Sequence, residues 1–364
     1  MHALNARAWV DVDLGALLQN GTAYAARAGV PLLPMVKADA YGLGAVPVAR
    51  ALQRLDPWGF GVATVAEGEE LRSAGVTRPI VVFTPLLAED LAEASRSGLT
   101  PTLGARDTIV RWREVGGGRP WQLAIDTGMS RAGIQWNALD PILDTVAAFP
   151  PEGAFTHFHS ADVADESRAV QEERFDRAVA TLPARPAMLH AENSSAVERR
   201  GRSPWTVARP GIFLYGVGIG GGAASGLKPC HVATVRARVV DLRVIEDGET
   251  VSYGGTYRAV GRRRIATLGI GYADGYRRVL GNRAVALVGG RRAPVAGVVT
   301  MDMTMLDVTD APCEIGDVAT LVGRDGDDEI TISDLAGFGG LSPYEVLTGL
   351  RGRLPRRYIG GDAA

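Results

Sequence analysis

The chain has 364 residues, 46% hydrophobic and 22% charged, which is globular composition with material for a sizeable core, and two domains are the natural prior at this length. A formal net charge of −2 leaves no basic footprint for nucleic acid or an anionic membrane, and no apolar stretch approaches the length of a membrane span. Residues 1–7 contain no signal-peptide core, and Cys230 and Cys313 fall outside any metal-ligand spacing, so the expectation is a cytoplasmic protein with two buried thiols and no metal site.

The alternation Trp9-Val10-Asp11-Val12-Asp13 opens the chain as a strand. A βα rhythm follows. Strands are predicted near 32–36, 59–62, 80–83, 99–103, 122–125, 153–158, 187–190 and 207–209, and helices over 14–28, 46–55, 65–73, 88–97 and 170–182. Eight such units suit a (β/α)₈ barrel. The rhythm stops at the glycine-rich tract 216–226. Its G-x-G-x-x-G (Gly216, Gly218, Gly221) opens no helix, so it reads as a connector rather than a dinucleotide site. Alternating segments at 232–245, 265–270, 284–288, 304–308 and 318–322 then give a mostly-β domain. The division is 1–228 and 229–364, and the first strand is free to pack with the second domain.

Chemistry in such a barrel lies just past the strand ends. Lys37 follows the first strand, Asp126 to Arg131 the fifth, His157 the sixth, Asn193-Ser194 the seventh, and Arg209-Pro210-Gly211-Ile212 the eighth. Singly, each has an ordinary structural explanation; together they form a ring of amine, imidazole, hydroxyl and guanidinium on one face. Ser194 with the amides of Gly211 and Ile212 is placed to hold a phosphate. Of the 39 Lys and Arg residues only Lys37 and Lys228 are lysine. Arginine replaces lysine as a surface cation but cannot form an imine, so the lysine at a strand end is informative, whereas Lys228 in the connector is not.

The stretch Val36-Lys37-Ala38-Asp39-Ala40-Tyr41-Gly42-Leu43-Gly44 resembles the pyridoxal-phosphate attachment signature of alanine racemases. The similarity continues through 126–133 (DTGMSRAG), Thr156-His157-Phe158, His190 with Asn193-Ser194, 209–216 (RPGIFLYG), 248–257 (GETVSYGGTY), 269–276 (GIGYADGY) and 300–302 (TMD). The V-S-Y-G motif in a β domain separates racemases from other barrel-type pyridoxal-phosphate proteins. The resemblance implies a homodimeric enzyme with shared sites that interconverts L- and D-alanine, supplying D-alanine for peptidoglycan, with pyridoxal 5′-phosphate as cofactor. It makes Lys37 the covalent anchor of the cofactor and the base on one face of the substrate. Tyr253, entering from a second subunit, is the base on the other. Tyr41, Ser194, Gly211 and Ile212 hold the phosphate, and Arg209 meets the pyridine nitrogen. Arg131 lies near the phenolic oxygen and the substrate carboxylate, which the Met301 backbone also binds. His157 packs by the ring and supports Tyr253 through its neighbours, and Tyr272 lines the entrance.

Those residue types suit the reaction. Exchanging an α-proton between faces calls for two bases, and a tyrosine, near ~10 in isolation, needs donors or cations around its anion. Arginine at the pyridine nitrogen weakens the ring as an electron sink and so discourages transamination. Three positions depart from the pattern. Ala124 replaces a lysine that becomes a carbamate and braces the arginine at 131. Gly352 replaces a tyrosine that touches the phosphate and narrows the entrance, and His159 stands where a small residue is common. The first two leave room for broader specificity, with serine or larger side chains as alternative substrates. A decarboxylase or aldolase on a similar barrel, distinguished by carbon dioxide or glycine release, and a non-catalytic cofactor-binding protein are the remaining alternatives; Tyr253 argues against both.

Overall fold

The opening alternation forms β1 (Ala8–Asp13). Asp13 caps the following helix, Leu14–Ala28, by accepting from the amide of Ala16 (2.9 Å), and Gly29 ends it in the left-handed region at φ 67°. The computed structural model describes residues 6–219, 226–350 and 352–361. Part of the glycine-rich connector, including Gly221, lies outside the described residues.

Next come β2 (Phe60–Val62), β3 (Ile80–Val82), β4 (Thr100–Leu103), β5 (Gln122–Asp126), β6 (Ile134–Gln135), β7 (Gly153–Phe155) and β8 (Met188–His190). They make a parallel sheet in the order β2-β3-β4-β5-β7-β8, with the short β6 added on β5. All residues of β2, β3, β4 and β8 are buried, as strands covered on both faces require. The predicted strands at 32–36 and 207–209 are held by isolated bridges instead of full ladders: Leu32 pairs with Ala208, and Met35 with Gly61. Pro31, Pro34 and Pro210 remove ladder donors there. Backbone bonds from Leu33 N to Ala208 O (2.8 Å), Val36 N to Gly61 O (2.9 Å) and Thr206 N to Leu189 O (2.9 Å) still close the ring of eight. The sixth strand stops at Phe155, two residues before His157.

The second half contributes β9 (Ala233–Ile245), β10 (Thr250–Val251), β11 (Tyr257–Arg258), β12 (Arg263–Leu268), β13 (Val285–Val288), β14 (Arg291–Pro294), β15 (Thr304–Asp307), β16 (Val318–Asp325), β17 (Asp328–Ile330) and β18 (Arg356–Ile359). Their main sheet runs β14-β13-β16-β9-β1-β18, so the first strand of the chain lies inside it. Val10 faces Val235 of antiparallel β9 and Arg356 of parallel β18. Two helices, Ile332–Gly339 and Pro343–Gly349, add to the expected β pattern; each begins with a capping box, Thr331 with Asp334 and Ser342 with Glu345. Cys313 is buried, but Cys230 is exposed, contrary to the expectation of two buried thiols. The connector that carries it packs against helix Leu14–Ala28, where its thiol reaches Gln19 Oε1 (3.4 Å).

Candidate active site

At the C-terminal ends of the barrel strands a cavity of about 560 Å³ is lined by Lys37, Tyr41, Arg131, His157, Ser194, Arg209, Gly211 and Ile212, among others. Eight of the predicted site residues thus meet in one place. The residues after Lys37 form a left-handed helical turn, with φ of 52°, 54°, 51° and 57° at Ala38, Asp39, Ala40 and Tyr41. Each such residue costs about 1–2 kcal/mol, so the turn persists only because its surroundings hold it. Glu67 does so from below, accepting from Ala38 N (2.8 Å) and Ala63 N (2.6 Å). Arg356 does so from above, donating to Gly42 O through Nε (3.1 Å) and Nη2 (2.7 Å), and the Tyr358 hydroxyl donates to Leu43 O (3.1 Å). Burial, and then the Arg131 guanidinium, push the Lys37 amine below the ordinary lysine range, while Glu67 opposes them. That favours the neutral, nucleophilic form.

Arg209 is 4% exposed and fully engaged on its Nη atoms. Nη1 donates to His190 Nδ1 (2.8 Å) and His190 O (2.7 Å); Nη2 donates to Thr156 O (2.8 Å), Ala191 O (3.1 Å) and, at 3.5 Å, His157 Nδ1. A guanidinium only donates, so both imidazoles must present an unprotonated Nδ1 to it. Burial brings Arg209 down to about 10, still charged at neutral pH. His157 is pushed down to about 3 by burial, then by Arg209, Arg131 and Lys37, so it stays a neutral ring beside them. Asp126, the one carboxylate in the cavity wall among the described residues, spends its Oδ1 on the amides of Gly128 (2.9 Å) and Ser130 (3.1 Å).

Ser194, Gly211 and Tyr41 converge on one end of the cavity. Ser194 Oγ accepts from Gly211 N (2.9 Å) and Phe213 N (3.2 Å), which pins the loop after the eighth strand, and Ile212 lines the cavity beside them. A Cβ on residue 211 would stand 2.5 Å from the Tyr41 hydroxyl and fill the cradle. Hydroxyls and amides without a carboxylate suit a phosphate. A buried arginine, a lysine and a hydroxyl cradle lining one cavity fit pyridoxal phosphate.

Tyr253, Tyr272 and Met301 do not line this cavity. They are 73%, 38% and 53% exposed on the β-rich half. Tyr253 projects from the turn between β10 and β11, where Ser252 at φ 67° anchors its hydroxyl on Val298 O (2.7 Å). Tyr272 and Met301 are neighbours: Tyr272 N donates to Thr300 O (2.9 Å) and Ala273 N to Met301 O (3.0 Å). Ala124 lines the cavity, whereas Gly352 faces open space, with nothing within 4 Å of an added Cβ.

Three residues of the site were not anticipated. Glu67 had a local signal, the T-x-x-E capping box that it forms with Thr64. Gln171, 1% exposed, donates to Thr127 Oγ1 (3.1 Å) and His157 O (3.0 Å) and accepts from His159 N (3.0 Å), tying together the loops that carry Arg131 and His157. Tyr344 lines the cavity from the C-terminal helix. Nothing local marked the last two.

Family models match the chain in two parts: the alanine racemase N-terminal domain over residues 12–218 and the alanine racemase C-terminal domain over residues 232–358. The alanine racemase of Symbiobacterium thermophilum is 39% identical, covering 98% of both chains. Among solved structures, alanine racemase from Bacillus anthracis with bound L-Ala-P superposes with a TM-score of 0.89 at 31% identity, covering 97% of this chain and 95% of that one. Alanine racemase from Bartonella henselae with covalently bound pyridoxal phosphate gives 0.89 at 27% identity, covering 97% and 100%.

Proposed function

The chain belongs to the alanine racemase family, and from that premise we propose that its proton transfers run between Lys37 of one copy and Tyr253 of a second. It is an isomerase that interconverts L- and D-alanine with pyridoxal phosphate as cofactor. When bound, the cofactor supplies the electron sink that makes the α-C–H of the amino acid acidic. Lys37 exchanges the proton at its Nζ on one face, in the neutral form that burial and Arg131 favour. Tyr253 exchanges it at its phenol oxygen on the other.

The remaining residues bind and orient. Tyr41, Ser194, Gly211 and Ile212 would hold the phosphate, and Arg209, which keeps its proton, would meet the pyridine nitrogen. His157 packs by the ring as a neutral imidazole and supports Tyr253 through its neighbours. Arg131 receives the substrate carboxylate together with the backbone of Met301, and Tyr272 narrows the entrance. The domains divide at 1–228 and 229–364, the assembly is a homodimer with shared sites, and a cytoplasmic enzyme supplies D-alanine for peptidoglycan. One observation carries the reading: the cavity holds Lys37 but not Tyr253, which is 73% exposed.

Mixing Lys37→Ala with Tyr253→Phe tests it. In a mixed dimer one of the two shared sites has both wild-type bases, so activity returns; demonstrated subunit exchange without recovery places both bases in one chain. A racemase of broader scope is the second reading, supported by the open space at Gly352 and the small Ala124 in the cavity wall. A panel of L-amino acids separates the two.

A further inference from the structure

The phosphate cradle has a neighbour that the reaction has not yet used. Tyr344 is the second residue of the helix Pro343–Gly349. That helix is fixed at both ends: Ser342 N donates to Glu345 Oε2 (3.0 Å) in its capping box, and Leu347 O lies so close to Gly42 that an added Cβ there would stand 2.5 Å from it. The helix is therefore docked on the turn that carries Lys37. Its tyrosine belongs to a row of three rings. Tyr215, anchored on Met35 O (2.7 Å), stacks on Tyr41 at 4.6 Å and 28°; Tyr344 follows at 6.0 Å and 41°. Tyr41 closes on Gly211, and Tyr344 lines the same cavity.

The Tyr344 hydroxyl has no hydrogen-bond partner among the described residues, although its backbone bonds to Ser342 and Thr348. Burial first, then the charges of Asp162 and Glu198, push this phenol up, and Tyr344 in turn adds to the rise at Tyr41. Both hydroxyls thus remain protonated at neutral pH, the form that donates. A phosphate dianion has many acceptor sites, and the cradle around Ser194 contains no lysine or arginine within its hydrogen-bond set. Neutral donors must then satisfy it, and each one counts.

We propose that Tyr344 is a further phosphate-holding residue, its hydroxyl donating to the cofactor phosphate beside that of Tyr41. This rests on the assignment of Tyr41, Ser194 and Gly211 to the phosphate. Position 352, a glycine in open space, supplies no side chain for that end of the cavity. Tyr344, already inside the cavity wall, is the donor that the tertiary structure delivers there.

The test compares two ligands that differ only in the phosphate. Full-length wild type, Tyr344→Phe and Ser194→Ala are stripped of cofactor and titrated with pyridoxal phosphate and with pyridoxal, following the visible absorption of the Lys37 adduct. Tyr344→Phe is expected to weaken pyridoxal phosphate about tenfold or more and to leave pyridoxal unchanged, as loss of a hydrogen bond to a charged group implies. Unchanged pyridoxal phosphate affinity, or an equal loss for both ligands, overturns the proposal, since the second outcome means ring packing alone. Ser194→Ala separates the two levels. If it shifts the ratio while Tyr344→Phe does not, only Tyr344 falls; if neither shifts it, the phosphate assignment itself fails.

Discussion

The barrel mouth and the β10–β11 turn present their predicted site residues in opposite ways. At the mouth, Arg209 is buried and spends its Nη atoms on five acceptors, His157 is a neutral ring among cations, and the Lys37 turn is held from both sides. Around Tyr253, two-residue strands carry a side chain that is 73% exposed. One region is enclosed within a single chain; the other presents a tyrosine outward. The lesson is that this chain buries and shifts the groups at the mouth but leaves Tyr253 exposed.

The largest effect expected is at the mouth. Lys37→Ala removes the only amine in the cavity among the described residues and lowers racemisation on the order of 10⁴-fold or more. Borohydride should fix the cofactor of the wild type on the Lys37 peptide, and label on Lys228 would break the assignment. Tyr253→Phe comes next, with a loss of about 10²- to 10⁴-fold. Because Tyr253 is exposed and outside the cavity, cofactor absorption and melting temperature should stay at wild-type values. Solvent deuterium exchange should become strongly unequal between the two enantiomers. Equal exchange at near wild-type rate would show that another group does the work.

Stability sharpens the comparison further. Glu192 is fully buried behind the mouth, with neither carboxylate oxygen hydrogen-bonded and Arg200 Nη1 at 3.6 Å. Burial raises it from 4.5 to about 7. The folded state therefore holds this proton more tightly than the unfolded state, and stability present below pH 4.5 is lost as pH rises through 7. For Glu192 alone the loss is about 3 kcal/mol. Urea midpoints between pH 5 and 8 should fall in the wild type and fall less steeply in Glu192→Gln, Glu198 being raised to about 7 by burial as well; parallel curves would remove Glu192 as a cause. Arg356→Met takes away two bonds to Gly42 O and one to Leu350 O (3.2 Å), costing about 1–3 kcal/mol. It should also speed cofactor loss, because the left-handed turn relaxes; an unchanged dissociation rate would mean that Glu67 and Tyr358 suffice to hold it. The smallest effect belongs to Gly352→Tyr. Open space admits the ring, and the alanine-to-serine preference should rise severalfold, within the ~10–200-fold that a hydrophobic wall can supply. No change in that ratio would mean that another residue closes the entrance.

The barrel was legible because its information is local. Apolar runs of three to five residues between amphipathic stretches report burial on both faces, and the helix predicted over 65–73 is found as Val65–Ser73. The ring of site residues was legible for the same reason, since each stands just past such a run. The bond from Phe213 N to Ser194 Oγ was not legible, because amide direction there depends on the 3₁₀ turn Ile212–Tyr215, which composition does not reveal. Gln171 and Tyr344 were invisible because ordinary amphipathic helices contain glutamine and tyrosine, and only packing buries Gln171 and sets Tyr344 in the cavity wall.

What the sequence determined by itself was the periodicity of burial, the strand-end chemistry and the family signature around Lys37 and Tyr253. What only the tertiary structure decided was how strained or solitary pieces are held. VKADAYGLG carries no local preference for four consecutive positive-φ residues, which its alanines disfavour; Arg356, 314 positions away from Gly42, secures them. Likewise the alternation of β1 left it free to pack with the second domain, but only the structure sets it between β9 and β18 and fixes its register. Local propensity is set by neighbours within a few residues, whereas strain and edge pairing are settled by contacts whose partners lie hundreds of residues apart.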